Sequence, residues 1–352
     1  MILAIDPGST STKVALYEGG TLLCQESLAH SADELAAYER IVDQRGMRIA
    51  AVRAFMARHD IRPCNLEAIM SRGGLLHPLA AGVYAINDSM LHDSGEGAVH
   101  QHASNLGALI AYDLAREAGI PCYIADPVSV DEFDDVARIS GLKDLPRRSL
   151  VHALNIRKVA FNTARAHGKR VEDMNMIVAH LGGGISIAPL CRGRIIDVNN
   201  ANEGGPYSPE RTGGMPAAGV VAMCFAEGAD ERSIADRLTR KGGLVSYLGT
   251  NDARDVQRRI EAGDSDAALV FEGMAYQVAK EIGAMATVLH GRVDVIVITG
   301  GLANNEMLVH WIEDRIGFIA PVEVVPGENE LEALNDAYMR LKQGIEAVKT
   351  YE

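Results

Sequence analysis

One short pattern occurs twice in this chain: an apolar strand, a polar residue at its end, a glycine-bearing turn and a second strand, at residues 2–14 and again at 177–187. The first copy carries Asp6-Pro7-Gly8-Ser9-Thr10-Ser11-Thr12-Lys13, the second His180-Leu181-Gly182-Gly183-Gly184-Ile185-Ser186. A turn without Cβ atoms lets backbone N–H groups approach an anion, and hydroxyls such as those of Ser9, Thr10 and Ser11 add donors to the same oxygens. Each hairpin taken alone reads equally well as a tight β-turn that needs positive φ. A third turn, Gly300-Gly301-Leu302-Ala303-Asn304, also follows an apolar strand. Together the three predict phosphate clamps in two related halves, with a nucleotide held between them.

Composition bounds the partners. A chain of 352 residues suits two domains of common size. With 34 Lys and Arg against 47 Asp and Glu the net charge is -13, and no basic run offers a nucleic-acid footprint. An anionic substrate then has to be captured by local cations, which singles out Arg72 and Arg211. The amino terminus shows no basic leader, and no uninterrupted apolar stretch reaches spanning length, so a soluble cytoplasmic protein with no membrane contact is expected. Cys24, Cys64, Cys122, Cys191 and Cys224 are scattered and never in Cys-x-x-Cys spacing. They are expected to be buried thiols rather than a disulfide framework or zinc site.

Along the chain, a third strand at 21–27 extends the first hairpin, and Ser31 caps a helix running to about 59. A strand near 66–70 delivers Ser71-Arg72-Gly73-Gly74 at its end. A helix over 101–118 and a strand over 122–125 deliver Asp126 in the same way, at the place where open α/β sheets bind ligands. Residues 126–148 are irregular and charged, and a helix from Ser149 to about 167 sets the domain boundary near 150. Domains are thus expected over 1–150 and 151–330, with a C-terminal helix at about 330–352 packing back on the first. In the second, a strand over 194–198 precedes a loop at 199–216 too long to be a mere connector. Helices follow at about 230–240, 252–262 and 264–290, then strands at 293–299 and 322–325.

The candidate chemistry combines these loops. Lys13 reads either as a phosphate ligand or as a solvated lysine. His180 reads either as a structural imidazole or, bordering three glycines, as a group facing a ligand. Arg211, in Ser208-Pro209-Glu210-Arg211-Thr212-Gly213-Gly214, is a surface charge unless the proline and glycines fix its presentation. Two arginines at a nucleotide site suit a carboxylate acceptor, because guanidinium pairs bidentately with carboxylate and phosphate oxygens. A carboxylate is already ionised and needs no general base, so catalysis reduces to alignment and charge neutralisation. Asp126 and Glu330 offer oxygen ligands for magnesium or its waters.

These motifs resemble the acetate/butyrate kinase family, within the superfamily that holds sugar kinases, actin and the heat-shock-cognate ATPases. The likeness spans nearly the whole chain, and it is similar to the butyrate kinase branch in particular. Acetate kinases usually carry asparagine where Asp6 and Gly183 stand. The resemblance implies an α/β fold of two ribonuclease-H-like (actin-like ATPase) domains with a nucleotide cleft between them. It also implies reversible, direct in-line phosphoryl transfer from ATP, with Mg2+, to a short-chain fatty acid such as butyrate or a branched relative, giving ADP and an acyl phosphate. Carried over by position, Arg72 and Arg211 hold carboxylate and phosphoryl oxygens, His180 donates to the transition state, and Asp126 is the catalytic aspartate. Gly8, Ser9, Thr10, Ser11, Lys13, Gly182, Gly183 and Gly184 line the phosphates. Asp252 and Arg254 lie on the adenosine side, with Gly300, Gly301 and Asn304 as the other wall. Asp6 and Glu330, or Glu328 two residues earlier, are associated with the metal. A homodimer or higher homo-oligomer is implied too. The alternatives are a sugar or polyol kinase on the same architecture, with Asp126 as base, and an ATP-driven conformational module.

Overall fold

The computed structural model describes residues 1–98 and 102–352. Two compact units emerge, one of residues 1–130 with 329–352 and the other of 131–328. The first begins with the meander β1 (Ile2–Pro7), β2 (Ser11–Glu18) and β3 (Thr21–Ala29), then α1 (Ala32–Ala36) and α2 (Arg45–Arg58). It continues through β4 (Ala68–Arg72), β5 (Val83–Ala85), α3 (Asp88–Ser94), α4 (Leu106–Ala118) and β6 (Cys122–Ala125). The second unit comprises α5 (Ala153–Ala166), β7 (Asn175–Leu181), β8 (Ile185–Cys191), β9 (Arg194–Ile195), α6 (Ala217–Cys224), α7 (Glu231–Thr239), α8 (Gly243–Leu248) and α9 (Ala253–Glu261). It ends with α10 (Ser265–Val288), β10 (Val295–Gly300), α11 (Glu306–Ile316) and β11 (Val322–Pro326). The chain then returns to the first unit with α12 (Glu330–Lys342) and β12 (Val348–Lys349).

Among the described residues the first unit holds a seven-stranded sheet in the order β12-β5-β6-β4-β1-β2-β3, the second a five-stranded sheet in the order β11-β10-β7-β8-β9. In both, an antiparallel hairpin (β1–β2, β7–β8) adjoins strands running parallel to its first member. These parallel strands are covered on both faces, and β1, β10 and, beyond the half-buried Asn175, β7 accordingly read as buried runs. Their apolar residues belong to two separate cores, one around Leu3, Ile5, Phe55 and Ile110, the other around Ile177, Ile187, Phe271 and Ile298.

Several local expectations change. The helix expected from Ser31 to 59 is broken: Ser31 does cap α1, but the chain becomes extended at Arg40 and re-enters through a 3₁₀ turn, Ile41–Gln44. Gln101 lies outside the described residues, and the helix expected from it is seen as a 3₁₀ turn, Ala103–Asn105, followed by α4. The strand expected over 194–198 stops at Ile195. The first unit ends at Val130, ahead of the boundary expected near 150. Residues 131–148 have no sheet of their own but are tied to the second unit: Asp134 N donates to Ile196 O, and Arg147 pairs with Asp197 at 2.7 Å. Cys64 and Cys224 are exposed rather than buried. No helix among the described residues is long and apolar enough to cross a membrane.

Close backbone packing sets the position of Arg72. A Cβ on Gly107, in the first turn of α4, would lie 2.3 Å from the Arg72 carbonyl oxygen. Gly107→Ala is therefore expected to force strand and helix apart and to lower stability by about 1–3 kcal/mol. Denaturant unfolding checks this; an unchanged midpoint contradicts it.

Candidate active site

In the first unit, register gathers the charged residues at one edge. Parallel pairing sets Ile5 opposite Ser71 and Arg72 opposite Ala125, so Asp6, Arg72 and Asp126 all leave the carboxyl ends of adjacent strands β1, β4 and β6. Antiparallel pairing sets Lys13 opposite Asp6. The Arg72 guanidinium lies 3.5 Å from Asp6 Oδ1 and 3.6 Å from Glu330 Oε1, while Lys13 Nζ lies 3.3 Å from Glu330 Oε2 and 4.0 Å from Asp6 Oδ2. Two carboxylates and two cations thus form one cluster. Burial pushes the Asp6 carboxyl above the usual carboxylate range, and Glu330 pushes the same way against the pull of Arg72 and Lys13. Asp126 is buried in a left-handed conformation, φ 39°, with Oδ1 accepting from Gly82 N at 2.7 Å and Arg340 3.9 Å from Oδ2.

The turn between β1 and β2 is gripped from behind by Arg48. This α2 side chain is 0% exposed, and burial lowers its pKa. It donates to the carbonyls of Gly8 (2.9 Å), Ser11 (3.0 Å) and Ser9 (3.3 Å) and to the Thr12 hydroxyl (3.1 Å). Ser9 and Thr10 stay exposed. The turn's carbonyls are therefore satisfied on the core side.

The second unit repeats the plan. His180 on β7 pairs with Thr299 on β10, and Gly300 pairs with Pro326 on β11, so His180, Thr299 and the Gly327–Glu328 segment meet at one sheet edge. Gly300 has φ 91°, and a Cβ there would lie 2.3 Å from Leu181 O, so only glycine allows this turn to pass the β7–β8 hairpin. The loop over 199–216 folds onto the same hairpin. Ser208 Oγ donates to Gly183 O at 2.6 Å and accepts from Arg211 N at 3.1 Å. A Cβ on Gly184 would lie 2.6 Å from Arg211 Nη1, so this glycine makes room for the guanidinium. Burial lowers the pKa of Arg211, with Glu210 acting against it. Arg211 is thus anchored by its backbone to Ser208 and half-buried, with its guanidinium beside Gly184.

The chain has known relatives. The model of the acetokinase family matches residues 143–320. A probable butyrate kinase 2 from Caldanaerobacter subterraneus subsp. tengcongensis is 49% identical over 350 residues, covering 99% of each chain. Butyrate kinase 1 from Clostridium acetobutylicum is 46% identical over 352 residues, covering 100% of this chain and 99% of its own. The chain belongs to the acetokinase family. In three dimensions it is similar to the acetate kinase of Porphyromonas gingivalis, with a TM-score of 0.81 at 19% identity over 97% of this chain and 99% of that one. That likeness establishes the ribonuclease-H-like, actin-like ATPase fold expected from the sequence.

The other expected residues fall into place unevenly. Glu330 joins Asp6, whereas Glu328 faces His180, its Oε2 3.1 Å from Nε2, so the two glutamates take separate positions. Gly301 and Asn304 form a 3₁₀ turn closed by Asn304 Nδ2 donating to Gly301 O. Asp252 caps α9 and pairs with Arg254, whose side chain is 86% exposed; the hydrogen bonds from Arg254 hold the Asp252 carboxyl down to about 2. Sequence reasoning missed Arg48, Asn155 and Thr299. For the first two the available signal was a polar residue on the apolar stripe of a helix: Arg48 among Ile49, Val52 and Phe55, and Asn155 among Leu154, Ile156 and Val159.

Because the folded-state pKa of Asp6 is raised, the unfolded chain gives up this proton first as pH rises past 3.8, and the native state loses stability over that interval. Asp6→Asn is therefore expected to be more stable relative to the parent at neutral pH than below pH 3.8, where both forms are uncharged. Chemical unfolding at the two pH values measures the margin. A margin that widens on acidification contradicts the argument.

Proposed function

We propose that the chain transfers the γ-phosphoryl group of ATP directly and reversibly to the carboxylate of a short-chain fatty acid, butyrate or a branched relative, giving ADP and an acyl phosphate. The full-length identity near one half with curated butyrate kinases carries the activity. The site chemistry agrees with it. The acceptor is ionised on arrival, so what it needs is cation donors: Arg72 stands between the carboxylates of Asp6 and Glu330, and Arg211 lies in the space that Gly184 leaves open. A sugar hydroxyl would instead need a base, and Asp126 suits that poorly: its Oδ1 accepts from Gly82 and Arg340 stands by the other oxygen.

In this reading Arg72 and Arg211 hold carboxylate and equatorial phosphoryl oxygens, and His180 donates from its ring to the charge that develops there. The turn over residues 8–13, residues 182–184 and the turn over 300–304 take the phosphates, and Asp252 and Arg254 the adenosine side. The acidic residues fit magnesium. Asp6 Oδ1 is buried without a hydrogen-bond partner, Glu330 lies in the same cluster, and magnesium characteristically takes one or two protein carboxylates plus substrate phosphates. When bound, the ion would neutralise charge on the transferring group.

Two further assignments belong to the same reading. Five unbridged cysteines suit the reducing cytoplasm. Self-association into a dimer or larger assembly suits α6, which buries none of its residues and is followed by Phe225, 87% exposed.

Two expected outcomes test the proposal. With ATP, magnesium, butyrate and hydroxylamine the protein should form the hydroxamate; no product with any acid of about two to six carbons, whose methylenes are each worth only about 1–3 kcal/mol of discrimination, contradicts it. Arg72→Ala and Arg211→Ala should each lower kcat about 10²–10³-fold or more by removing transition-state charge donors. Steady-state rates near those of the parent in both variants would remove the arginines from the mechanism.

A further inference from the structure

The hydrogen bonds behind His180 determine where its proton sits. Thr299 Oγ1 lies 3.3 Å from the Gly327 carbonyl oxygen. A carbonyl only accepts, so the Thr299 hydroxyl donates its hydrogen there. Its lone pairs then face the Asn155 side chain, 3.3 Å away, and the group on Asn155 that can satisfy them is the NH₂. The same NH₂ lies 2.9 Å from His180 Nδ1. With the amide oriented by Thr299, Nδ1 must accept, which leaves the ring hydrogen on Nε2.

The surroundings keep the ring in that pose. His152 stacks on His180 with centroids 4.1 Å apart and an interplanar angle of 12°, and is itself tied to Ser186 Oγ at 2.8 Å. Asn155, Thr299 and His180 are all buried. In front of the ring a Cβ on Gly182 would lie 3.2 Å from Nε2, so glycine leaves this nitrogen uncovered. The group that meets Nε2 here is an anionic oxygen, Glu328 Oε2 at 3.1 Å.

We propose that Asn155, oriented by Thr299, is a positioning residue that holds His180 in its Nε2–H tautomer, so that the ring presents a hydrogen-bond donor to a phosphoryl oxygen, with Glu328 as the acceptor when no substrate is bound. The proposal rests on the role given to His180 above. Neither Asn155 nor Thr299 touches substrate. Each acts through the imidazole, and no proton leaves it.

The variant that reverses the tautomer at constant shape is Asn155→Asp, compared with its parent in a Glu328→Gln background so that no second carboxylate holds a hydrogen on Nε2; the new carboxylate can only accept and so draws the ring's single hydrogen to Nδ1. In protein labelled with ¹⁵N-histidine, with the His180 signals assigned by their loss in His180→Gln, the parent should show a protonated Nε2 and a bare Nδ1. Asn155→Asp should show Nδ1 protonated and lower kcat about 10²–10⁴-fold, the order expected for a catalytic imidazole in the wrong tautomer, while KM for ATP and for butyrate changes less than about threefold. Thr299→Val should lose kcat in the same manner and Thr299→Ser should recover it. A parent spectrum with the hydrogen on Nδ1 overturns the proposal, as does Asn155→Asp at parental kcat. If Asn155→Asp does not fold, the parent spectrum and the Thr299 pair decide. Absence of hydroxamate from the parent protein would remove the kinase reading but leave the spectrum unaffected, so the two failures are separable.

Discussion

The structure depends most on a buried carboxylate that the fold does not fully compensate. Asp6 sits at the carboxyl end of a central strand, its Oδ1 without a hydrogen bond and its charge disfavoured by burial. Removing a charge from water costs several kcal/mol unless partners replace the lost solvation. The partners supplied, Arg72 and Lys13, are shared with Glu330 and stand at 3.3–4.0 Å, looser than well-formed charge-assisted hydrogen bonds. A cluster of this kind adds little to stability by itself. Under the proposed function, a phosphate chain and its counter-ion would complete it.

The second unit solves a related problem with fewer charges, the Arg211 guanidinium and the Glu328 carboxylate. Its hairpin carries glycines where the first carries hydroxyls, and Arg211 occupies the space that a Cβ on Gly184 would fill. Behind His180 lies a buried relay of side-chain amide, hydroxyl and backbone carbonyl. A fully satisfied buried network specifies one arrangement of its members. The two hairpins are thus similar in topology while their electrostatics differ, one with two carboxylates sharing two cations, the other glycine-lined with Arg211 beside it.

Much of this was legible in the amino-acid sequence because strand-end loops are local objects. The hairpin at Asp6, the β4 end at Arg72 and the Gly300 turn each follow an apolar run, and all lie where the reading placed them. What the sequence hid was whatever depends on contacts distant along the chain. Arg48 reaches a turn 40 residues away, and Asn155 reaches Thr299 across 144. Neither spacing follows from periodicity, and both residues look like flaws in an apolar helix face. The boundary expected near 150 differs from the unit's end at Val130 for a similar reason: residues 131–148 carry no regular sheet, and long-range pairings such as those of Asp134 and Arg147 show which unit they join.

The central claim is that a carboxylate oxygen of the acid attacks phosphorus. Butyrate labelled with ¹⁸O in its carboxylate, incubated with ATP and magnesium and quenched with hydroxylamine, tests this directly. Hydroxylamine attacks the acyl carbon and expels phosphate, which keeps the oxygen that had bridged carbon to phosphorus. Phosphate carrying one ¹⁸O is the predicted result. Unlabelled phosphate, released at the same rate with or without the acid, would mean that water takes the phosphoryl group and would contradict the account.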